Sequence, residues 1–240
     1  MNPYTETLRV GTWNAGNGSM ADCREILRHV DALCLQECSD QDRMMDAMRA
    51  NGFSVIRPLA TGAAATPVIY EPDVLQFTRP LLRPLLWGGD LDWGPGTGPD
   101  HGKQKWLVGG YFIHKPSRRR VAIGSAHKPA GHKPGNRREV AATLQSRRTV
   151  EVFKGYTGIP IVGADNNAEP DMPCMAPFRR ADWKIDQLVG ERKPTHGGWC
   201  PDHIAWRDDE RVQMAYHETM ANGSDHDADL LTLRLSKRGR

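Results

Sequence analysis

Asp31-Ala32-Leu33-Cys34-Leu35-Gln36-Glu37 is the stretch whose reading decides the fold class. An apolar run this short, bounded by polar residues, reads as a buried strand and not as a helix. It ends on a carboxylate, Glu37. Before it, Ala21 to Val30 carries Ile26, Leu27 and Val30 on one helical face. After it, Asp40 to Asn51 repeats the pattern with Met44, Met45 and Met48, a stripe that faces the core. Asn51-Gly52 supplies the usual end of a helix.

Outward from this unit, strands alternate with helices and loops. Leu8 to Asn14 has Val10 and Thr12 alternating with polar neighbours. Phe53 to Arg57, Pro67 to Tyr70 and Val74 to Phe77 read as short strands. Gly88 to Gly102 is rich in Gly, Pro and Asp and reads as a long loop. Trp106 to Ile113 and Arg120 to His127 form an antiparallel pair about a turn at Lys115-Pro116-Ser117. Arg137 to Tyr156 is the longest helical pattern, with Val140, Leu144 and Val150 among its apolar positions. Ile159 to Ala164, Ile204 to Trp206 and Leu230 to Leu235 are later strands. Many short strands with a few helices imply a layered α/β protein with mixed sheets. One domain over residues 1–240 accommodates all of it. The polar residues gather just past strand ends, where a rigid scaffold presents functional loops.

The bulk properties exclude several classes. The chain has 240 residues and ordinary apolar and charged fractions. No apolar run reaches the ~18 residues of a membrane span. Met1 to Arg9 is polar and lacks a signal-peptide core, so a cytoplasmic protein is expected. Neither a membrane nor an obligate protein partner is called for. The five cysteines, an odd number, argue against a disulfide framework. The net charge is only +3, but Arg118-Arg119-Arg120, Lys128 to Arg138, Arg147-Arg148, Arg179-Arg180 and Lys237 to Arg240 are basic clusters. Such clusters suit a polyanionic partner.

Five segments carry candidate chemistry: Thr12-Trp13-Asn14, Leu35-Gln36-Glu37, Ser125-Ala126-His127, Gly163-Ala164-Asp165-Asn166-Asn167, and Pro201-Asp202-His203 with Ser224-Asp225-His226. Together they hold the parts of phosphoester hydrolysis. Oxygen ligands from Asn14, Glu37 and Asp225 suit Mg²⁺ or Mn²⁺. Such a cation neutralises charge on phosphoryl oxygens. Asp165 can accept a proton from the attacking water. His127, Asn167 and His226 can donate to the transition state. Asp202 can orient His226 and stabilise its protonated form, the logic of an aspartate–histidine pair.

This set, in this order, resembles the endonuclease/exonuclease/phosphatase superfamily of deoxyribonuclease I, exonuclease III and the inositol polyphosphate 5-phosphatases. The resemblance runs from Leu8 to Leu235. Asn14 and Glu37 match the family's metal-site asparagine and its LQE glutamate. Asp165 and Asn167 match its GD-x-N motif, with Ala164 replacing the glycine. Asp202 matches the aspartate that partners the last histidine, and Asp225 with His226 matches its SDH motif. Thr195 falls where many members carry a phosphate-contacting threonine. The resemblance implies a four-layer α/β sandwich of the deoxyribonuclease I type, two packed mixed β-sheets with helices outside. Gly16 stands where abasic-site enzymes carry an acid or amide, and His127 where they carry tyrosine. Both departures argue against abasic-site specificity. With Ala164 in the motif, Gly163 is expected to take over the tight-turn role.

Substrate signals are fewer. The basic loop after His127, with Lys128, Lys133, Arg137 and Arg138, would neutralise flanking phosphates of a nucleic-acid substrate, DNA being the leading expectation. Trp93, Trp106, Trp183 and Trp199 are candidates for base stacking. A phosphatase or phosphodiesterase acting on a small or lipid-linked phosphoester is the alternative, and a non-catalytic nucleic-acid-binding module a third reading. His196, Cys200 and His203 have spacings tolerable for zinc, but the region lacks the four ligands of a structural site.

Overall fold

The structure, a computed structural model, describes residues 4–38, 42–57, 65–87, 90, 104–130 and 135–237. Among them the strands are β1 (Tyr4–Asn14), β2 (Ala32–Gln36), β3 (Ser54–Ile56), β4 (Val68–Tyr70), β5 (Leu75–Leu86), β6 (Lys105–His114), β7 (Arg119–His127), β8 (Ile159–Asp165), β9 (Trp183–Ile185), β10 (Asp202–Arg207), β11 (Val212–Met220) and β12 (Ala228–Ser236). The α-helices are α1 (Met20–Leu27), α2 (Asp42–Ala50), α3 (Arg137–Val152), α4 (Ala176–Arg180) and α5 (Asp186–Val189). Lys133, Trp93 and most of the Gly88 to Gly102 loop lie outside the described residues. No helix among the described residues is long and apolar enough to cross a membrane.

The strands form two six-stranded sheets, ordered β11-β12-β1-β2-β4-β3 and β5-β6-β7-β8-β10-β9. Both are mixed: β1 runs parallel to β2, and β7 parallel to β8, while the remaining pairs are antiparallel. Successive side chains on a strand point to opposite faces. On β1, Leu8 and Val10 therefore point to the other sheet while Trp13 points out, and on β2 Cys34 points in while Leu33 and Leu35 point out. Val121, Ile123, Ile161 and Ile204 answer from the second sheet, closing a central core. Trp13, Leu33 and Leu35 pack under α1 and α2 with the Met44, Met45 and Met48 stripe. Ala122, Ala126, Val162 and Ala205 pack under α3 and α4. Three apolar clusters between four layers give the expected sandwich.

The departures have local causes. β5 was legible only at its start, because Pro80 and Pro84 break the strand signature; both are tolerated on an edge strand. The α3 helix buries Ala141, Ala142, Gln145, Ser146 and Thr149, while Val140 is 50% exposed, so its inner face is small and polar and not the Val/Leu stripe. The short β9, the polar β11 and the helices α4 and α5 gave no clear pattern.

Gly163 makes no turn. It lies within β8, facing β1 and β2 of the other sheet. A Cβ there would stand 2.8 Å from Cys34 Cβ and 2.9 Å from Thr12 Cβ, atoms fixed to two neighbouring strands. Gly163→Ala is expected to push the sheets apart and lower stability by about 1–3 kcal/mol in urea unfolding; an unchanged midpoint would refute this account of the contact.

Candidate active site

The inner-face alternation runs past the apolar core to one end of the sandwich and turns polar there. On β7 the inward series Val121, Ile123, Ser125 ends on His127; on β8 Ile159, Ile161, Gly163 ends on Asp165; on β10 Trp206 and Ile204 lead back to Asp202. Register fixes their neighbours: His127 lies beside Asp165, and Asp165 beside Asp202. From the first sheet, β1 contributes Asn14, and Glu37 follows β2 directly.

The two sheets are tied across this end. Asn14 Nδ2 donates to Asp165 Oδ2 at 2.9 Å. Below it, Gln36 Nε2 donates to Ser125 Oγ at 3.0 Å and to Thr12 Oγ1 at 3.1 Å, and Ser125 Oγ donates to Leu35 O at 2.7 Å. Ser224 Oγ donates to Asn14 O at 2.9 Å, and Trp13 Nε1 donates to His226 O at 3.1 Å. These two bonds hold the Ser224-Asp225-His226 loop against the end of β1.

Asp165 is buried and heavily bonded. Its Oδ1 accepts the Asn167 backbone N–H at 2.8 Å, and its Oδ2 accepts Asn167 Nδ2 at 3.1 Å. His127 Nε2 stands 3.4 Å from Asp165 Oδ2, 3.2 Å from Asn167 Nδ2 and 3.7 Å from Glu37 Oε1. Burial alone would raise the Asp165 pKa, but the bond and charge of His127, the charge of His226 and the Asn14 bond outweigh it and hold this carboxyl low, at about 2. Glu37 and Asn167 both adopt left-handed backbone, φ 58° and 49°. For glutamate this is an uncommon conformation that its surroundings must impose.

Asp202 and His226 form the second half. His226 Nδ1–H donates to Asp202 Oδ2 at 2.8 Å, leaving Nε2 for the open side. Burial works against a charged imidazole here, but the Asp202 bond and charge, with Asp165 and Asp225 beyond, raise its pKa to about 9. Burial and the charge of Asp165 raise Asp202 to about 6, against the bonds from His226 and Thr195. At neutral pH the pair is therefore carboxylate and imidazolium.

Two expected substrate contacts are corrected. Lys128 follows the inward His127, so its side chain points outward beneath α3. Its buried Nζ donates to Ser146 Oγ at 2.7 Å, lies 2.9 Å from Met175 Sδ, and sits over the Phe178 ring. The residue parity on β7 carried that signal. Thr195 is buried and its hydroxyl donates to Asp202 Oδ2 at 2.7 Å, so it braces a carboxylate instead of facing a phosphate. Arg137 and Arg138 open α3, Arg137 exposed and Arg138 donating to Ala130 O. His196, Cys200 and His203 do not form a zinc site: the buried His203 ring donates to Ala168 O, and His196 turns instead to Asp225 and His226. Trp183 is buried against Phe153 and Phe178, whereas Trp199 is exposed.

The donors present fit a hard divalent cation. A Cβ on Gly16 would stand 2.7 Å from Glu37 Oε2 and 3.4 Å from Asn14 Oδ1, so glycine keeps open the space between these two oxygens. The Glu37 side chain is half exposed, and donor atoms of Glu37, His127 and Asp165 lie within 4.8 Å of one another. Asp225 is exposed and stands with His196 and His226 in a similar group.

Behind Asp202 lies a further buried group. His217 Nε2–H donates to Asp229 Oδ1 at 2.6 Å, and Asp186 accepts the backbone N–H of Ile204. Burial and the charge of Asp229 push Asp186 well above the usual carboxylate range. Burial, with Asp202's charge, pushes Asp229 up to about 7 despite bonds from Asp186 and Gln187 and the charge of Lys193.

These groups make stability depend on pH. Asp229 holds a proton that the unfolded chain has released, so its contribution is fully present below about pH 4 and is lost as pH rises through about 7, and the raised Asp186 acts in the same sense. The raised His226 acts in the same sense above about 6.5, and His217, which burial lowers, opposes it only below that. The thermal midpoint is expected to fall between about pH 6.5 and 8.5 as His226 gives up its proton, and His226→Gln to flatten the fall; an equal slope in both proteins would exclude this origin. Burial also lowers the Lys128 pKa to about 8. Lys128→Met is expected to raise stability by about 1–2 kcal/mol in urea unfolding, since it removes a desolvated ammonium; a loss of that size would contradict this.

No protein-family model and no curated protein matches the sequence. Solved structures do match the fold. The human Nocturnin catalytic domain with bound sulfate anion is 17% identical, covers 98% of this chain and 96% of its own, and has a TM-score of 0.74. An endonuclease/exonuclease/phosphatase from Bacteroides vulgatus is 16% identical over 96% of this chain and 100% of its own, with a TM-score of 0.75. D. rerio TDP2 complexed with single strand DNA product is 15% identical over 96% of this chain and 100% of its own, with a TM-score of 0.68. At these identities the likeness is one of architecture: the chain has the fold of the endonuclease/exonuclease/phosphatase superfamily.

Proposed function

We propose that this protein is a divalent-metal-dependent phosphodiester hydrolase, a nuclease acting on DNA. The observation that carries the reading is the convergence, at one end of the sandwich, of the Asn14–Asp165 bond, Glu37, His127, Asn167 and the Asp202–His226 ion pair.

Glu37 and Asn14 would hold Mg²⁺ or Mn²⁺, with Asp225 reaching in from the loop that Ser224 ties to Asn14. A cation so bound supplies charge neutralisation at the phosphoryl oxygens. Asp165, ionised and fixed by Asn14 and Asn167, accepts the proton of the attacking water. Asn167 and His127 donate to the non-bridging oxygens. His226, charged and aimed by Asp202, stabilises the negative charge that develops as the phosphorus centre becomes five-coordinate. Arg137 and Arg138 at the head of α3 serve a flanking phosphate. The TDP2 structure with its DNA product supports a nucleic-acid substrate by likeness of fold.

One correction favours a second reading. With Lys128 buried, the described part of the basic loop offers fewer cations than a long polyanion would use, which suits a small phosphoester equally. A panel of labelled single- and double-stranded DNA and RNA, with inositol phosphates and sphingomyelin, separates the two. Cleavage of DNA with Mg²⁺ or Mn²⁺ is expected, with EDTA abolishing it and Glu37→Ala or His226→Ala lowering the rate by about 10²–10⁴-fold. Full activity in both variants, or activity without metal, would sink the proposal; turnover of the small phosphoesters alone would shift it to a phosphatase.

A further inference from the structure

We propose that His196 is a positioning residue for His226; the role rests on the reading of His226 as a catalytic residue. His196 opens a tight hairpin. Gly197 and Gly198 both have left-handed φ, 53° and 85°, as the two central residues of a type I′ turn require. Trp199 N–H donates to His196 O at 2.8 Å, and His196 N–H donates to Trp199 O at 3.1 Å. The hairpin is fastened to the site at its base. Thr195 Oγ1 donates to Asp202 Oδ2 at 2.7 Å, and Asp227 N–H donates to Thr195 O at 2.7 Å. At its start, His196 Nδ1–H donates to Asp225 O at 2.8 Å.

So held, the His196 ring lies over the His226 ring. Their centroids are 4.4 Å apart and their planes 24° from parallel. Asp202 holds His226 Nδ1, but a single hydrogen bond tolerates rocking of the ring about Cβ–Cγ. The last torsion of a histidine side chain is intrinsically broad. A face contact supplies the missing constraint, so Nε2 points in one direction toward the phosphate. Donor atoms of His196, His226 and Asp225 also lie within 4.8 Å of one another. Chelation is disfavoured, because nearly parallel stacked rings cannot both aim an in-plane lone pair at one cation.

The test uses the full-length chain and two substitutions. In His196→Ala, the low-field proton resonance of His226 Nδ1–H, assigned by its loss in His226→Gln, is expected to broaden into exchange with water. Phosphoester hydrolysis is expected to slow by roughly tenfold to a hundredfold in kcat with KM little changed. His196→Phe keeps the stacked face and has no polar atom, so it is expected to restore both. The resonance is read without substrate, so it judges His196 even if no phosphodiester is cleaved. A resonance as sharp in His196→Ala as in the parent would overturn the proposal. So would His196→Phe behaving like His196→Ala, which would give His196 a direct polar role.

Discussion

The close approach of the two sheets at Gly163 is the constraint on which the rest depends. Without a side chain there, β8 lies against Thr12 and Cys34 of the opposite sheet. That proximity lets Gln36 bridge to Ser125 and Thr12, and Asn14 reach Asp165. Buried polar groups are costly unless bonded, so once the sheets touch, each of these side chains fixes the others. The glutamine before Glu37 is thus a seam residue. It holds the strand end from which the carboxylate emerges.

The strand pleat then decides which residues take part. Every second residue of β7, β8 and β10 faces the opposite sheet, apolar along the middle and polar at one end. The site is the continuation of the core by other chemistry. This parity puts His127 in the site and its neighbour Lys128 under α3, although the two share one basic stretch of sequence.

How much of this was legible follows from what each feature depends on. The buried strand ending at Glu37 and the β6–β7 pair rest on local periodicity and are readable, whereas the four layers are readable only through the resemblance of the motifs to a known superfamily. The β5 strand was hidden by Pro80 and Pro84, whose tolerance depends on being at a sheet edge. Thr195 resembles a phosphate contact, yet its hydroxyl is committed to Asp202, seven residues on and across a hairpin. By its spacing His196 is only a zinc candidate. Its actual neighbours, Asp225 and His226, are distant in sequence, and no spacing rule joins them. The left-handed backbone of Glu37 is likewise imposed by tertiary contacts and carries no mark in the residue type.

The electrostatics explain why Asp202 needs so many partners. It is buried beside Asp165 and in front of Asp229; burial and the charge of Asp165 favour its neutral form. Breaking a buried ion pair costs about 3–5 kcal/mol, so Asp202 stays ionised only while His226 remains charged and in place. The same carboxylate keeps His226 protonated up to about pH 9. The pair is therefore mutually dependent. Asp202 supplies the charge that makes His226 a cation at neutral pH, and Thr195 fixes the oxygen that points it. A residue that steadies the His226 ring steadies the Asp202 charge as well. The hairpin carrying Thr195 and His196 braces both members of the pair from a single short segment.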